Sequence, residues 1–191
     1  MAEVLLFHHA QGQTKGFLAF ASRIREAGNT VHTSDLYDGR TFASLDEGVA
    51  YAKKVGFDTI RERGRQSAEG LPNRLVYGGF SLGVMPAQFL VQTRPGAKGA
   101  LLFSAAFPAA EFGSPWPQGV PLQIHMMEGD KWVQEGDLDA ARELKSTIKA
   151  AELFLYPGNQ HLFADSSLPD YDEKAAGLLT TRVLAFLRTV D

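Results

Sequence analysis

The chain has 191 residues, with 19 Lys and Arg against 22 Asp and Glu, and it contains no cysteine. A net charge of -3, with both signs scattered along the chain, gives no electrostatic reason to expect nucleic acid or an anionic membrane as partner. Without cysteine there are no disulfides, thiolate metal sites or catalytic thiols, so covalent chemistry must use an oxygen or nitrogen nucleophile.

Short apolar runs alternate with helical patterns from end to end. Val4–Phe7 reads as a buried strand, and Thr14–Ala27 as a helix with Phe17, Phe20 and Ile24 on one face, stopped by Gly28. Thr30–Leu36 is a second strand, and a polar helical stretch runs from about Leu45 to Glu69, broken near Gly56. Arg74–Tyr77 is a strand ending in Gly78-Gly79, followed by a helix over Val84–Gln92. Then come a strand at Ala100–Ser104, a Pro-rich loop at Phe107–Pro121, a strand at Leu122–Met127 and a helix at Leu138–Ala150. Glu152–Tyr156 is the last strand and Asp172–Arg188 the closing helix. Six strands alternating with helices predict an α/β fold: one domain over residues 1–191, with a mainly parallel sheet flanked by helices on both faces. The opening residues carry no basic leader, and no apolar run approaches the roughly 18 residues of a membrane span. A soluble cytoplasmic protein, monomeric or a small homo-oligomer, is the expectation.

The segment that points to chemistry is Gly79-Phe80-Ser81-Leu82-Gly83, a G-x-S-x-G. Alone it is weak, since chance supplies on the order of 0.1 copies in a chain of this composition. Its setting between a strand and a helix gives it meaning. A sharp strand-to-helix turn strains the serine and brings neighbouring chain close, so small residues must flank it. A Gly-rich structural turn is the plain alternative. The G-x-x-x-x-G spacing of Gly78 and Gly83 does not make a phosphate loop, because Val84-Met85 stand where Lys and Ser or Thr are required.

A nucleophilic serine needs a base and a group that orients the base. Of the five histidines, only His125 and His161 follow Ser81. His125 lies inside a strand, where a structural role is expected, whereas His161 falls in the turn after the last strand. For the acid, Asp130 lies just beyond the strand Leu122–Met127, with Glu128 as the neighbour able to substitute. Asp137 and Asp139 read as N-terminal charges of the next helix. Ser81, Asp130 and His161 thus all fall past the C-terminal ends of separate strands, the edge where open α/β sheets place their sites.

Together, Gly-Phe-Ser81-Leu-Gly, Glu-Gly-Asp130, Tyr-Pro-Gly-Asn-Gln-His161-Leu-Phe, the opening Leu-Phe-His-His-Ala-Gln-Gly and Asp35-Leu36-Tyr37 resemble the dienelactone hydrolase family of the α/β-hydrolase fold. The resemblance covers nearly the whole chain. It implies hydrolysis of a small-molecule ester, lactone or thioester through a Ser81–His161–Asp130 triad, with no cofactor. Its backbone oxyanion donors would be Leu82 and Ala10, with Gly12 letting the loop approach. The namesake enzyme has a cysteine nucleophile where this chain has Ser81, and an acidic residue about where His9 stands. Phe80 and Trp132, with Phe107 and Phe163, are candidate pocket walls beside the motifs, His9 a candidate substrate contact, and Arg40 a candidate grip for an anionic substrate. Core packing and a solvated turn are the alternatives for these. His8 and His9 as metal ligands lack a third ligand at useful spacing, so no metal is expected. A peptidase or acyl transferase with the same triad, and a non-catalytic binding protein on the same fold, are the rival functions.

Overall fold

A computed structural model describes residues 1–190. Six strands form one sheet in the order β2-β1-β3-β4-β5-β6: β1 (Glu3–Phe7), β2 (Thr30–Ser34), β3 (Val76–Phe80), β4 (Gly99–Phe103), β5 (Leu122–Met127) and β6 (Ala151–Tyr156). All five pairings are parallel, so the expected mainly parallel sheet is parallel throughout. The central strands β3, β4 and β5 are buried along their whole length, as a sheet covered on both faces requires.

Alternate residues of each strand feed two cores. On one face Val4, Leu6, Leu101 and Phe103 pack against α1 (Lys15–Glu26) and α7 (Glu173–Thr189), through Phe17, Phe20, Ile24, Leu179, Val183 and Phe186. On the other, Leu5, Phe7, Leu102 and Ile124 meet α2 (Leu45–Val55), α3 (Phe57–Ser67), α4 (Val84–Thr93) and α6 (Asp137–Thr147). Sequence dictates the breaks as well. Gly56, at φ 92°, separates α2 from α3 where the polar helical stretch was expected to break. Thr14, Ser44 and Asp172 cap α1, α2 and α7 with side-chain oxygens.

Several boundaries differ from the sequence reading, among them the end of α6, which stops at Thr147 rather than Ala150. β3 starts at Val76 and continues through Gly78 and Gly79 to Phe80, because both glycines hold ladder positions against β1 and β4. β2 stops at Ser34, because the Asp35 carboxylate takes the amides of Tyr37 and Gly39 and turns the chain. A short helix, α5 (Lys131–Gln134), follows β5; it begins where Asp130 accepts from the Trp132 amide. Among the described residues, no helix is long and apolar enough to cross a membrane.

Candidate active site

The chain reverses sharply where β3 meets α4. Ser81 takes φ 48°, a left-handed conformation that is uncommon outside glycine, and heads a single tight turn, Ser81–Gly83. The flanking glycines are needed for space. A Cβ on Gly79 would overlap the Gly83 carbonyl, and one on Gly83 would sit 2.5 Å from the Phe7 oxygen and 2.6 Å from the His8 oxygen. The elbow is thus pressed against the end of β1, and Ser81 stands half-buried at the sheet edge.

His161 and Asp130 reach the same point from the turns after β6 and β5. Asp130 is 1% exposed; one carboxylate oxygen accepts the Trp132 amide at 3.0 Å and the other lies 2.6 Å from His161 Nδ1. A carboxylate only accepts, so Nδ1 carries the proton and Nε2 is left to accept from the Ser81 hydroxyl at 2.7 Å. The result is a continuous hydroxyl–imidazole–carboxylate chain with the base nitrogen facing the serine. Glu128 is exposed. His125, fully buried in β5, stacks between Phe103 and Phe154, and burial pushes its pKa down to about 3.

The loop between β1 and α1, which carries Ala10, is tied down on three sides. His8 donates from Nδ1 to the His9 carbonyl at 2.7 Å and accepts the Leu36 amide at Nε2. Burial lowers its pKa to about 4, so it stays neutral in this role. Gln11 exchanges two hydrogen bonds with the Phe42 backbone. His9 accepts the Gln11 amide at Nδ1 and donates from Nε2 to Asp165 at 2.8 Å. Asp165 also accepts the Thr14 hydroxyl and both the hydroxyl and amide of Ser167. Burial alone would raise the Asp165 pKa, but these hydrogen bonds outweigh it and hold it at about 2. Gly12 takes φ 88°, where a Cβ would overlap the Arg40 carbonyl.

Two expected substrate contacts are therefore corrected. His9 is 1% exposed, with both ring nitrogens engaged by the protein, and it anchors the loop. Phe80 is 4% exposed and points into the core, stacked on Phe103 and edge-on to Phe17 and Phe20, because the strand pleat turns it away from the sheet edge. Phe163 is core as well. Trp132 does flank the site: it is 42% exposed, with its ring 5.9 Å from that of His161. Arg40 is exposed beside the Ala10 loop, its guanidinium 5.7 Å from the Tyr51 ring centroid. Leu82 follows Ser81 in the tight turn, and Ala10, 1% exposed, lies in the loop after β1. The Phe107–Pro121 loop is pinned onto α4 by the Gln88 and Gln92 side chains.

Sequence reasoning missed Asp165 and Ser104, whereas Asp137 stands in the first turn of α6 as expected. Asp137 accepts the Ala106 amide at 3.0 Å, and its partial burial raises its carboxyl pKa. For Asp165, the one usable signal was its place four residues after His161 within the same turn region.

Comparisons with known proteins agree with this architecture. The model of the dienelactone hydrolase family matches residues 1–191. Among solved structures, the chain resembles a dienelactone hydrolase-like promiscuous phosphotriesterase from metagenomic libraries (17% identity, TM-score 0.77, 100% of this chain and 87% of that one). It also resembles a dienelactone hydrolase from Anabaena variabilis (15% identity, TM-score 0.71, 99% and 86%). A third likeness is to esterase 2 of Thermogutta terrifontis (18% identity, TM-score 0.62, 99% and 83%). No curated protein matches. With the family pattern running over residues 1–191 and the sheet carrying the same α/β-hydrolase architecture, the chain belongs to the dienelactone hydrolase family.

Proposed function

We propose that the protein is a serine hydrolase that cleaves ester, lactone or thioester bonds of small molecules through an acyl-enzyme. One observation carries this reading: a single imidazole, fixed by Asp130 at Nδ1, with its free nitrogen 2.7 Å from the Ser81 hydroxyl. In the first half-reaction His161 takes the Ser81 proton as the oxygen bonds to the substrate carbonyl carbon. The carbon–heteroatom bond to the leaving group then breaks, and His161 returns the proton to the departing alcohol or thiol. In the second half-reaction water replaces the leaving group, and the acid departs as Ser81 recovers its proton. The amides of Leu82 and Ala10 stabilise the oxyanion in both halves. Serine is a weak nucleophile at neutral pH, so the rate depends on the base.

Trp132 and Arg40 are the exposed side chains assigned to substrate, the indole flanking the imidazole and the guanidinium receiving an anionic substituent. The test is a panel of p-nitrophenyl esters, simple lactones and acyl thioesters run on wild type and Ser81→Ala together, with a fluorophosphonate probe alongside. Turnover and labelling are expected in wild type and absent in Ser81→Ala. Intact folded protein that neither labels nor hydrolyses between about pH 6 and 9 refutes the reading.

A further inference from the structure

Two serines end adjacent strands in the same register. β3 closes with Phe80-Ser81 and β4 with Phe103-Ser104; Phe80 and Phe103 are paired across the strands and their rings stack at 4.3 Å. Both serines are left-handed, Ser81 at φ 48° and Ser104 at φ 58°. Both also bond to His161. Ser81 meets the ring, whereas Ser104 donates its hydroxyl to the His161 backbone carbonyl at 2.6 Å.

Strain at Ser81 has its reason in the elbow. At Ser104 there is no such turn, and glycine would take this conformation without penalty. A side chain kept at a strained position does something glycine cannot. The hydroxyl is that difference. Ser104 is 2% exposed, and its own amide donates to the His125 carbonyl at 2.8 Å. Its backbone is thereby fixed to β5, the strand that delivers Asp130, while its side chain holds the turn that delivers His161. Two residues on, the Ala106 amide is held by Asp137 at the head of α6, which keeps this short segment from sliding.

We propose that Ser104 is a positioning residue for the proposed reaction, setting the distance of the His161 ring from Asp130 and Ser81. The proposal rests on the serine hydrolase reading for its kinetic consequence, but its structural consequence can be read without turnover. Ser104→Ala removes the hydroxyl and keeps the strain; Ser104→Gly removes both. If the serine served only stability, the variants would melt lower and the folded protein would keep its turnover. If it positions the base, both variants lose turnover alike.

The experiment measures kcat and KM on a p-nitrophenyl ester, the melting temperature, and the downfield proton resonance of the His161 Nδ1–H bonded to Asp130, for wild type and both variants. Expected in both is a kcat lower by about 10-fold to 100-fold, a KM within about 2-fold of wild type, and a shifted or broadened resonance. Ser104→Gly melts no lower than Ser104→Ala, and alone suffices if the alanine variant fails to fold. Wild-type turnover in either variant, or an unmoved resonance, overturns the assignment. A wild type that hydrolyses no ester overturns the hydrolase reading instead, and the resonance alone then decides the role of Ser104.

Discussion

Two clusters at the C-terminal edge of the sheet contain the same three kinds of group, a hydroxyl, an imidazole and a carboxylate, joined differently. In Ser81–His161–Asp130 the imidazole stands in the middle, so a proton leaving the hydroxyl has a nitrogen to receive it and a carboxylate behind to stabilise the charge. In Thr14–Asp165–His9 the carboxylate stands in the middle, and the outer nitrogen of His9 is filled by the Gln11 amide. His9 Nε2 already carries the proton it gives to Asp165, so it cannot accept one from the Thr14 hydroxyl 3.5 Å away, and the cluster holds its loops together. Composition does not separate the two arrangements. The order of bonding does.

The largest effect expected is from breaking the first order of bonding. Asp130→Asn leaves the shape but forfeits the fixed tautomer, and kcat should fall by about 10⁴-fold, read in a stopped ester assay. An unchanged rate would move the acid role to another residue. Removing the centre of the second cluster should act on stability first. Asp165→Ala strips the acceptor from buried His9 and Thr14 and should lower stability by about 3 kcal/mol in urea unfolding while leaving fluorophosphonate labelling intact. Equal stability would mean the cluster is no clamp.

Acid offers a gentler version of the same test. The Asp165 pKa is about 2 in the fold against 3.8 ordinarily, so its carboxylate stabilises the protein fully above about pH 4 and loses that contribution as the pH falls to about 2. The contribution is about 2 kcal/mol, so the stability gap between wild type and Asp165→Asn should narrow over that interval. A gap constant with pH would refute the ionised clamp. The smallest effect belongs to Arg40. Arg40→Ala should raise KM about 3-fold for a carboxylate-bearing ester and leave a neutral ester unchanged, as an exposed cation permits.

The sequence was most legible where local chemistry and global position coincided. Apolar runs, Gly56 and the helix caps each act within a few residues, so strands and helices were readable almost to their ends. The line Ser81, His161 and Asp130 was readable because all three follow strand ends, and a parallel sheet brings strand ends to one edge. What escaped was decided by pairing across the chain. Nothing near His9 reveals a carboxylate 156 positions away, and Phe80 beside the serine looks like a pocket wall until the pleat of β3 turns it inward. Ser104 escaped for a third reason, since a serine after an apolar strand is ordinary until its backbone dihedral is known.

The strand order has a consequence for how the molecule comes into being. After β1 and β2 pair, β3 joins the free side of β1, and β4, β5 and β6 are then added outward one after another. No strand ever has to be inserted between two already joined, so the sheet can grow in the direction of synthesis. Of the three residues of the proposed triad, Ser81 is laid down first, Asp130 two strands later, and His161 only after the outermost strand. A ribosome-bound chain thus holds Ser81 without its imidazole partner until β6 has been made, so the proposed reactivity waits for the whole sheet.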